Sequence, residues 1–266
     1  MNPLLNPEGR PVIAHRGASA DAPENTLEAF RLAEVQGADA FELDVRLSRD
    51  GVPVVMHDPS LERTAGHPGL VADLTLQEIQ AADAGAGYRG PDGSRSWAKR
   101  GVRAPALVEV LRAFPAMPML IEIKSRDAQD AVARLLIEER AVDRCVVASF
   151  KPGAMRAFRQ PPFVTGADRR DVALLAVRTR FGLRSPTPRC RLYAVPWRWK
   201  DRIEVPRRRF IAEAQRHDCP VHVWTVDDVK LAGTLWDRGA NGIITNRPAE
   251  MLKARRQWQE GQFTST

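Results

Sequence analysis

The spacing of apolar and polar positions divides the chain into short strands and longer amphipathic helices. Val12–Gly17 (VIAHRG) reads as a buried strand ending in His-Arg-Gly, and Ala38–Arg46 as a second strand. Between them LEAFRLAEVQG has a helical period, with Asn25 as the expected N-cap, Leu27, Phe30 and Val35 as the apolar face and Gly37 as the stop. Strand, helix and strand in that order form the unit of a parallel sheet. After a long interruption the rhythm resumes with helix Ala106–Phe114 and strand Met119–Lys124. Helix Ala128–Arg140, strand Cys145–Phe150, a helix near Pro152–Arg159 and strand Phe163–Ala167 follow. Helix Asp171–Phe181 precedes strand Leu192–Pro196, and helix Pro206–His217 precedes strand Val221–Val226. Helix Asp228–Arg238, strand Gly242–Asn246 and a terminal helix around Pro248–Gln259 complete the series. Eight parallel strands alternating with helices predict an α/β chain folded as a (β/α)8 TIM barrel rather than an open doubly wound sheet. The expectation is one barrel domain over residues 1–266, with an insertion after the second strand at about 59–105.

The stretch Phe41–Asp58 (FELDVRLSRDGVPVVMHD) concentrates the candidate chemistry. Glu42 and Asp44 alternate with Phe41, Leu43 and Val45, so a strand turns both carboxylates to one face. Asp50-Gly51 signals a two-residue hairpin turn, which would pair Arg49 with Val52, Leu47 with Val54 and Asp44 with His57. The hairpin would then set a histidine beside two carboxylates. The plainer alternative is a hairpin whose polar residues simply face solvent.

In a barrel the C-terminal strand ends hold the active site. His15 and Arg16 end the first strand, Glu122 and Lys124 end the third, and Trp224 lies near the end of the seventh. Each alone reads more readily as a satisfied polar residue at a strand end. Taken together, three carboxylates in one barrel mouth repel each other unless a cation lies between them. Hard oxygens without thiolates select Mg²⁺ or Ca²⁺. Two histidines can serve as base and acid, and Arg16 with Lys124 supplies the charge that a phosphate needs. This set of residue types suits phosphodiester cleavage.

Composition excludes several other classes. A content of 44% hydrophobic residues over 266 positions is enough to bury a core of barrel size. The net charge is +7 and comes mainly from scattered arginines, with neither a like-charge tract nor a nucleic-acid recognition motif beside it. Three cysteines without CxxC spacing argue against a disulfide framework or a zinc site. The opening residues MNPLLNPEGRP lack the pattern of a leader, and no apolar run approaches the roughly 20 residues of a membrane span, so a soluble cytoplasmic protein is expected.

With these residues in view, the chain resembles the glycerophosphodiester phosphodiesterase family. The match runs through His15-Arg16-Gly17, Pro23-Glu24-Asn25-Thr26, Glu42-Leu43-Asp44-Val45, Asp50-Gly51-Val52-Pro53-Val54-Val55 and His57-Asp58. It continues in Glu122-Ile123-Lys124, Trp224-Thr225-Val226 and Gly242-Ile243-Ile244-Thr245. The resemblance implies a metal-dependent barrel that hydrolyses glycerophosphodiesters to glycerol 3-phosphate and an alcohol. It further implies His15 and His57 as the catalytic pair, and Glu42, Asp44 and Glu122 as ligands of one divalent cation. Arg16 and Lys124 would hold phosphate oxygens, and Trp224 would bound the glycerol side. The first attacker is open between water and the glycerol 2-hydroxyl. A lysophospholipase D of the same architecture, with an apolar channel formed by the insertion and the Trp197/Trp199 segment, is the neighbouring reading. A phosphate-binding barrel without catalysis would require a lost histidine or ligand, and none is lost.

The chain departs from the family pattern at Asp227, where many relatives have Asn, and at Asn246, where they have an acidic residue. Both positions fall outside the histidine and carboxylate set and are expected to bear on leaving-group preference. Val195–Arg209 (VPWRWKDRIEVPRRR) has no counterpart in the resemblance. It reads either as a basic loop packed on the barrel rim or as a peripheral contact with anionic membrane.

Overall fold

The computed structural model describes residues 2–90, 92–200 and 202–262. Strands β1 (Val12–His15) and β2 (Ala40–Leu47) flank helix α1 (Leu27–Gln36), and β2 turns back into the antiparallel arm β3 (Pro53–Val55). Helices α2 (Glu62–Ala65), α3 (Leu76–Ala81) and α4 (Leu107–Ala113) lead to β4 (Met119–Ile123). Next come α5 (Ala128–Glu138), β5 (Cys145–Ala148), β6 (Val164–Thr165), α6 (Arg169–Arg180) and β7 (Tyr193–Pro196). A small ribbon, β8 (Arg198–Trp199) with β9 (Ile203–Glu204), precedes α7 (Arg208–Gln215) and β10 (Val221–Trp224). The series ends with α8 (Val229–Asp237), β11 (Gly242–Thr245) and α9 (Pro248–Gln259).

Parallel pairing runs in the order β6-β5-β4-β2-β1-β11-β10-β7. The two outer members meet through a parallel bridge between Gly166 and Leu192. Arg191 N donates to Thr165 O (2.8 Å) and Ala167 N to Leu192 O (2.9 Å), and these bonds curl the sheet back onto itself. The fold is the expected (β/α)8 barrel.

Strand alternation sorts the two faces. Phe41 and Leu43 of β2 pack outward under the helices, where Phe41 lies 5.1 Å from Phe30 and 5.2 Å, edge-on, from Phe114 between ring centroids. Ile13, Ala40, Leu120, Val146, Ala194 and Ile244 turn inward, with Leu4 packed among them. His222 also joins this interior and shares a 2.9 Å hydrogen bond between Nε2 and Leu4 O, and burial pushes its pKa down to about 4.

Several local expectations need correction. Thr26, not Asn25, caps α1 by accepting from Ala29 N. Val35 is 83% exposed, because it lies roughly 140° around the helix from Phe30. The buried stripe is Ala29, Phe30 and Ala33. Pro152–Arg159 forms only a 3-10 turn at Arg156–Phe158.

The hairpin register is one residue away from the expected one. Val45 faces Val55, Arg46 faces Val54 and Leu47 faces Pro53. Ser48 N donates to Val52 O and Gly51 N to Ser48 O, both at 3.0 Å, and Gly51 has φ +79°. This is a three-residue loop closed by a left-handed glycine, one residue longer than the two-residue turn. Ser48 favours it by donating its hydroxyl to Asp50 Oδ1 (2.6 Å).

Between Pro59 and Pro105 the chain builds a small core of its own, in which Leu61, Val71, Ile79 and Ala104 pack on Val54 and Met56. Tyr88 Oη donates to Ala20 O (2.7 Å) and Trp97 Nε1 to Asp21 O (3.0 Å), which fastens this segment over the loop between β1 and α1. No helix among the described residues is long and apolar enough to cross a membrane.

Candidate active site

Barrel register decides which polar residues meet. His15 is level with Glu42 on the neighbouring strand, and Asp44 is level with Glu122 on the next. Inward-facing side chains alternate along each strand, so Glu42 and Asp44 stand one above the other in the lumen. After His15 the chain turns through two left-handed residues, Arg16 (φ +58°) and Gly17 (φ +84°). A side chain at Gly17 would put its Cβ 2.6 Å from the Ala29 carbonyl carbon, so only glycine permits this close turn. The turn sends the Arg16 guanidinium back over the mouth.

All eight residues singled out in the sequence line one pocket of about 310 Å³: His15, Arg16, Glu42, Asp44, His57, Glu122, Lys124 and Trp224. Phe150, Lys151 and Arg169 complete its rim, and the Phe150 ring lies 6.0 Å from that of Trp224. His57 reaches the pocket although Met56, whose N donates to Asp44 O (2.9 Å), is the residue beside Asp44. The chain leaves the ladder after Val55, and Arg46 Nε holds His57 O at 2.8 Å.

Charge in the pocket is finely divided. Glu42, Asp44 and Glu122 each offer one oxygen, all within 4.8 Å of one another. Lys124 Nζ lies 3.0 Å from Asp44 Oδ1 and 2.8 Å from Glu122 Oε2, and Arg16 Nε lies 3.0 Å from Asp44 Oδ2. Burial raises Asp44's pKa, but Lys124, Arg16 and His57 outweigh it and hold the carboxyl below its ordinary range. Asn25 Nδ2 also donates to Asp44 Oδ2 (3.0 Å), a contact available because Asn25 adopts φ +57°. Burial, then the Asp44 charge, pushes Glu42 well above the usual carboxylate value, and burial pushes Glu122 up as well. Three carboxylates thus face two cations, Lys124 and Arg16. That donor set fits a hard divalent cation. Its oxygens converge, no thiolate is among them, and the buried Asp44 Oδ1 has only the off-axis ion pair with Lys124 and no hydrogen bond.

Both histidines are held by the same ring nitrogen. His57 Nδ1 lies 2.6 Å from Asp58 Oδ1. Asp58 is gripped in turn by Arg63 of the inserted segment, and Arg63 donates twice to Glu24 (2.7 Å each), which also receives Arg16 (2.9 Å). His15 Nδ1 lies 2.7 Å from Asn246 Oδ1, whose Nδ2 donates to Asp227 Oδ2 (2.7 Å). The carboxylate accepts only, so the amide orientation is settled: Asn246 Oδ1 must accept, and His15 Nδ1 carries the proton. In both rings Nε2 is left for the pocket. Burial, then the Arg16 charge, lowers the His15 pKa.

Asn246 and Asp227 are therefore not remote from the chemistry, contrary to the expectation that they affect only the leaving group. Glu24, Asp58 and Arg63 likewise carry the site, although spacing assigned them no role, and Asn25, expected only as a helix cap, serves Asp44 instead. For Glu24 and Asp58 the only sequence signal was membership of the matched stretches.

Residues 15–162 match the Glycerophosphoryl diester phosphodiesterase family. The chain belongs to that family. It is 32% identical to "Probable glycerophosphodiester phosphodiesterase 2" of Mycobacterium tuberculosis, over 96% of this chain and 95% of that one. It is 29% identical to the glycerophosphodiester phosphodiesterase of Caldanaerobacter subterraneus, over 91% of this chain and 96% of that one. Among solved structures, it is similar to an Oleispira antarctica phosphodiesterase in complex with the product sn-glycerol-3-phosphate. There the TM-score is 0.75 at 25% identity, covering 92% of this chain and 96% of the other. As a glycerophosphodiester phosphodiesterase, the chain is a hydrolase, and the barrel mouth is its candidate active site.

Proposed function

We propose that the barrel mouth hydrolyses glycerophosphodiesters to glycerol 3-phosphate and an alcohol by acid–base catalysis between His15 and His57, with a divalent cation, Mg²⁺ or Ca²⁺, held by Glu42, Asp44 and Glu122. The observation that carries this reading is that both rings are anchored through Nδ1 while their Nε2 atoms share one pocket with the carboxylate cluster. The Oleispira antarctica relative's bound product supports the choice of substrate.

When bound, the cation would supply Lewis-acid polarisation of a phosphoryl oxygen. The protein's own groups account for the rest. Arg16 and Lys124, both kept charged by Asp44, present donors to the remaining phosphate oxygens. His15, with its pKa lowered and Nε2 unprotonated, suits the removal of a proton from the attacking oxygen. His57, oriented by Asp58, stands to return a proton to the departing alkoxide. Trp224 and Phe150 form an apolar wall against the glycerol carbons. The same reading treats residues 1–266 as one phosphodiesterase domain and the segment at about 59–105 as the source of Arg63, which steadies His57 through Asp58.

The test is hydrolysis of glycerophosphocholine by the purified protein, followed by release of glycerol 3-phosphate with and without a chelator. The reading predicts turnover that a chelator abolishes and that Mg²⁺ or Ca²⁺ restores. Absence of glycerol 3-phosphate under every metal condition removes it.

A further inference from the structure

Large apolar side chains left in water gather in one part of the chain. Nine stand exposed among the described residues, and six of them fall between 174 and 203. Leu174, Val177 and Phe181 recur at i, i+3 and i+7 along α6 and its C-cap, which puts them on one stripe. Leu175 and Thr179, roughly 100° or more around the helix, are the residues it buries. Helix α6 therefore has two apolar faces, one for the barrel and one for water. Trp199 and Ile203 are cross-strand partners in the β8–β9 ribbon, and both are exposed. They line a groove of about 1270 Å³ whose other wall is α6, through Val177. An apolar surface of this extent marks an interaction site.

Positive charge gathers in the same place. Arg169 to Arg209 holds thirteen Lys and Arg against three Asp and Glu, a net +10, so the rest of the chain carries −3 of the total +7. Lys200, Arg202 and Arg207 to Arg209 line the groove, are exposed and make no ion pair among the described residues. Two cations stack on indoles: Lys200 Nζ lies 4.9 Å from the Trp199 ring centroid, and the Arg198 guanidinium carbon 4.0 Å from that of Trp197.

We propose that this face, α6 together with the β8–β9 ribbon, docks on the headgroup layer of an anionic lipid bilayer. The apolar stripe and Trp199 enter the interface, where an indole is favoured, and the cations beside them meet lipid phosphates. A second copy of the chain would set +10 against +10, so charge opposes a dimer through this face. A nucleic acid would answer the arginines but leave Leu174, Val177 and Ile203 in water. The groove shares Phe150, Arg169 and Trp224 with the catalytic pocket, so docking turns the barrel mouth towards the bilayer surface. Docking itself needs no chemistry in the mouth and is independent of the phosphodiesterase reading.

The experiment is flotation of the purified protein with vesicles of phosphatidylcholine alone and of phosphatidylcholine and phosphatidylglycerol in equal parts. Docking predicts partitioning onto the mixed vesicles only, falling by about tenfold or more as salt shortens the screening length from about 10 Å to about 3 Å. R208E/R209E should lower it by about tenfold or more while the fold holds, because acidic side chains suit the first turn of α7. V177D and I203D, at exposed positions outside the catalytic pocket, should keep the wild-type melting temperature and each lower partitioning by about tenfold. Lipid brominated along its chains should quench the wild-type tryptophan emission, and W199F should lose most of that quenching. Equal partitioning onto both kinds of vesicle, or onto neither, overturns the inference. So does wild-type partitioning of V177D and I203D, since charge alone would then be acting. A concentration-dependent dimer that V177D abolishes would assign the face to a second copy of the chain. Tighter retention on a single-stranded oligonucleotide than on the mixed vesicles would assign it to nucleic acid.

Discussion

His15 and Asn246, 231 positions apart, share a 2.7 Å hydrogen bond that settles which ring nitrogen of His15 faces the pocket. Asn246 does not choose its own orientation. Asp227 accepts from its Nδ2 at 2.7 Å and from its backbone N at 2.8 Å, and takes the Thr245 hydroxyl at 2.8 Å as well. This chain thus places an amide against His15 and an acid behind that amide, joined in one hydrogen-bonded pair. N246A should lower kcat by about 10-fold or more with little change in KM, since the ring loses its orientation and not its contact with substrate. D227N should also lower kcat, and the exchange D227N/N246D should recover most of the loss. ¹⁵N shifts of the His15 ring give an independent reading: wild type should show the Nδ1–H form and N246A a mixture.

Removing either ring should be worse. H15A and H57A should each reduce kcat by roughly 10²-fold or more while melting temperature stays within a few degrees. Turnover near wild type in one of them would take that histidine out of the mechanism.

Metal affinity should track the carboxylate cluster. Titration calorimetry with Mg²⁺ and Ca²⁺ should show weaker binding in E42Q, D44N and E122Q. D44N should be the most damaging to the fold, because Asp44 is 1% exposed and answers Arg16, Lys124 and Asn25 together. Unchanged binding in all three variants would mean that the cluster serves some other end.

Gly51 is a test of the hairpin. Nothing lies within 4 Å of a Cβ built there, so G51V meets no clash, only the backbone strain of a β-branched residue at φ +79°. That strain is about 1–3 kcal/mol. The arm β3 is also held from its far side by a bridge between Val54 and Ala106 and by Val55 N donating to Pro105 O (2.9 Å). The register therefore should survive, and G51V should lower melting temperature while leaving kcat/KM intact.

Glu213 predicts an acid-sensitive joint on α7. Its carboxylate takes two bonds from Arg216 and one from Ser185 N, and the Arg216 bonds bring its pKa down to about 2. A depressed carboxylate stabilises the fold fully above its unfolded pKa, near 4.3, and that contribution is lost as pH falls through the folded value. E213Q should therefore be less stable than wild type at pH 7 by about 1–2 kcal/mol, allowing for the partial exposure of its arginine partners. Melting curves of the two should converge as pH drops from about 4.5 towards 2.

What the amino-acid order determined by itself is whatever repeats locally. Alternation in FELDV put Glu42 and Asp44 on one face whatever the rest of the chain does, and eight strand–helix repeats specified a barrel whose strand ends would collect His15, Glu122, Lys124 and Trp224. Only the tertiary structure decided the partners. Asn246 meets His15 because β11 pairs beside β1, and Arg63 meets Asp58 and Glu24 because the inserted segment docks over the first loop. The hairpin register followed from the Ser48–Asp50 bond and the pairing of β3 with Ala106, where the Asp-Gly pair alone suggested a shorter turn. Periodicity reports which way a side chain points. Which group lies opposite depends on strand register and docking between segments far apart in sequence, and these are set by packing of the whole chain.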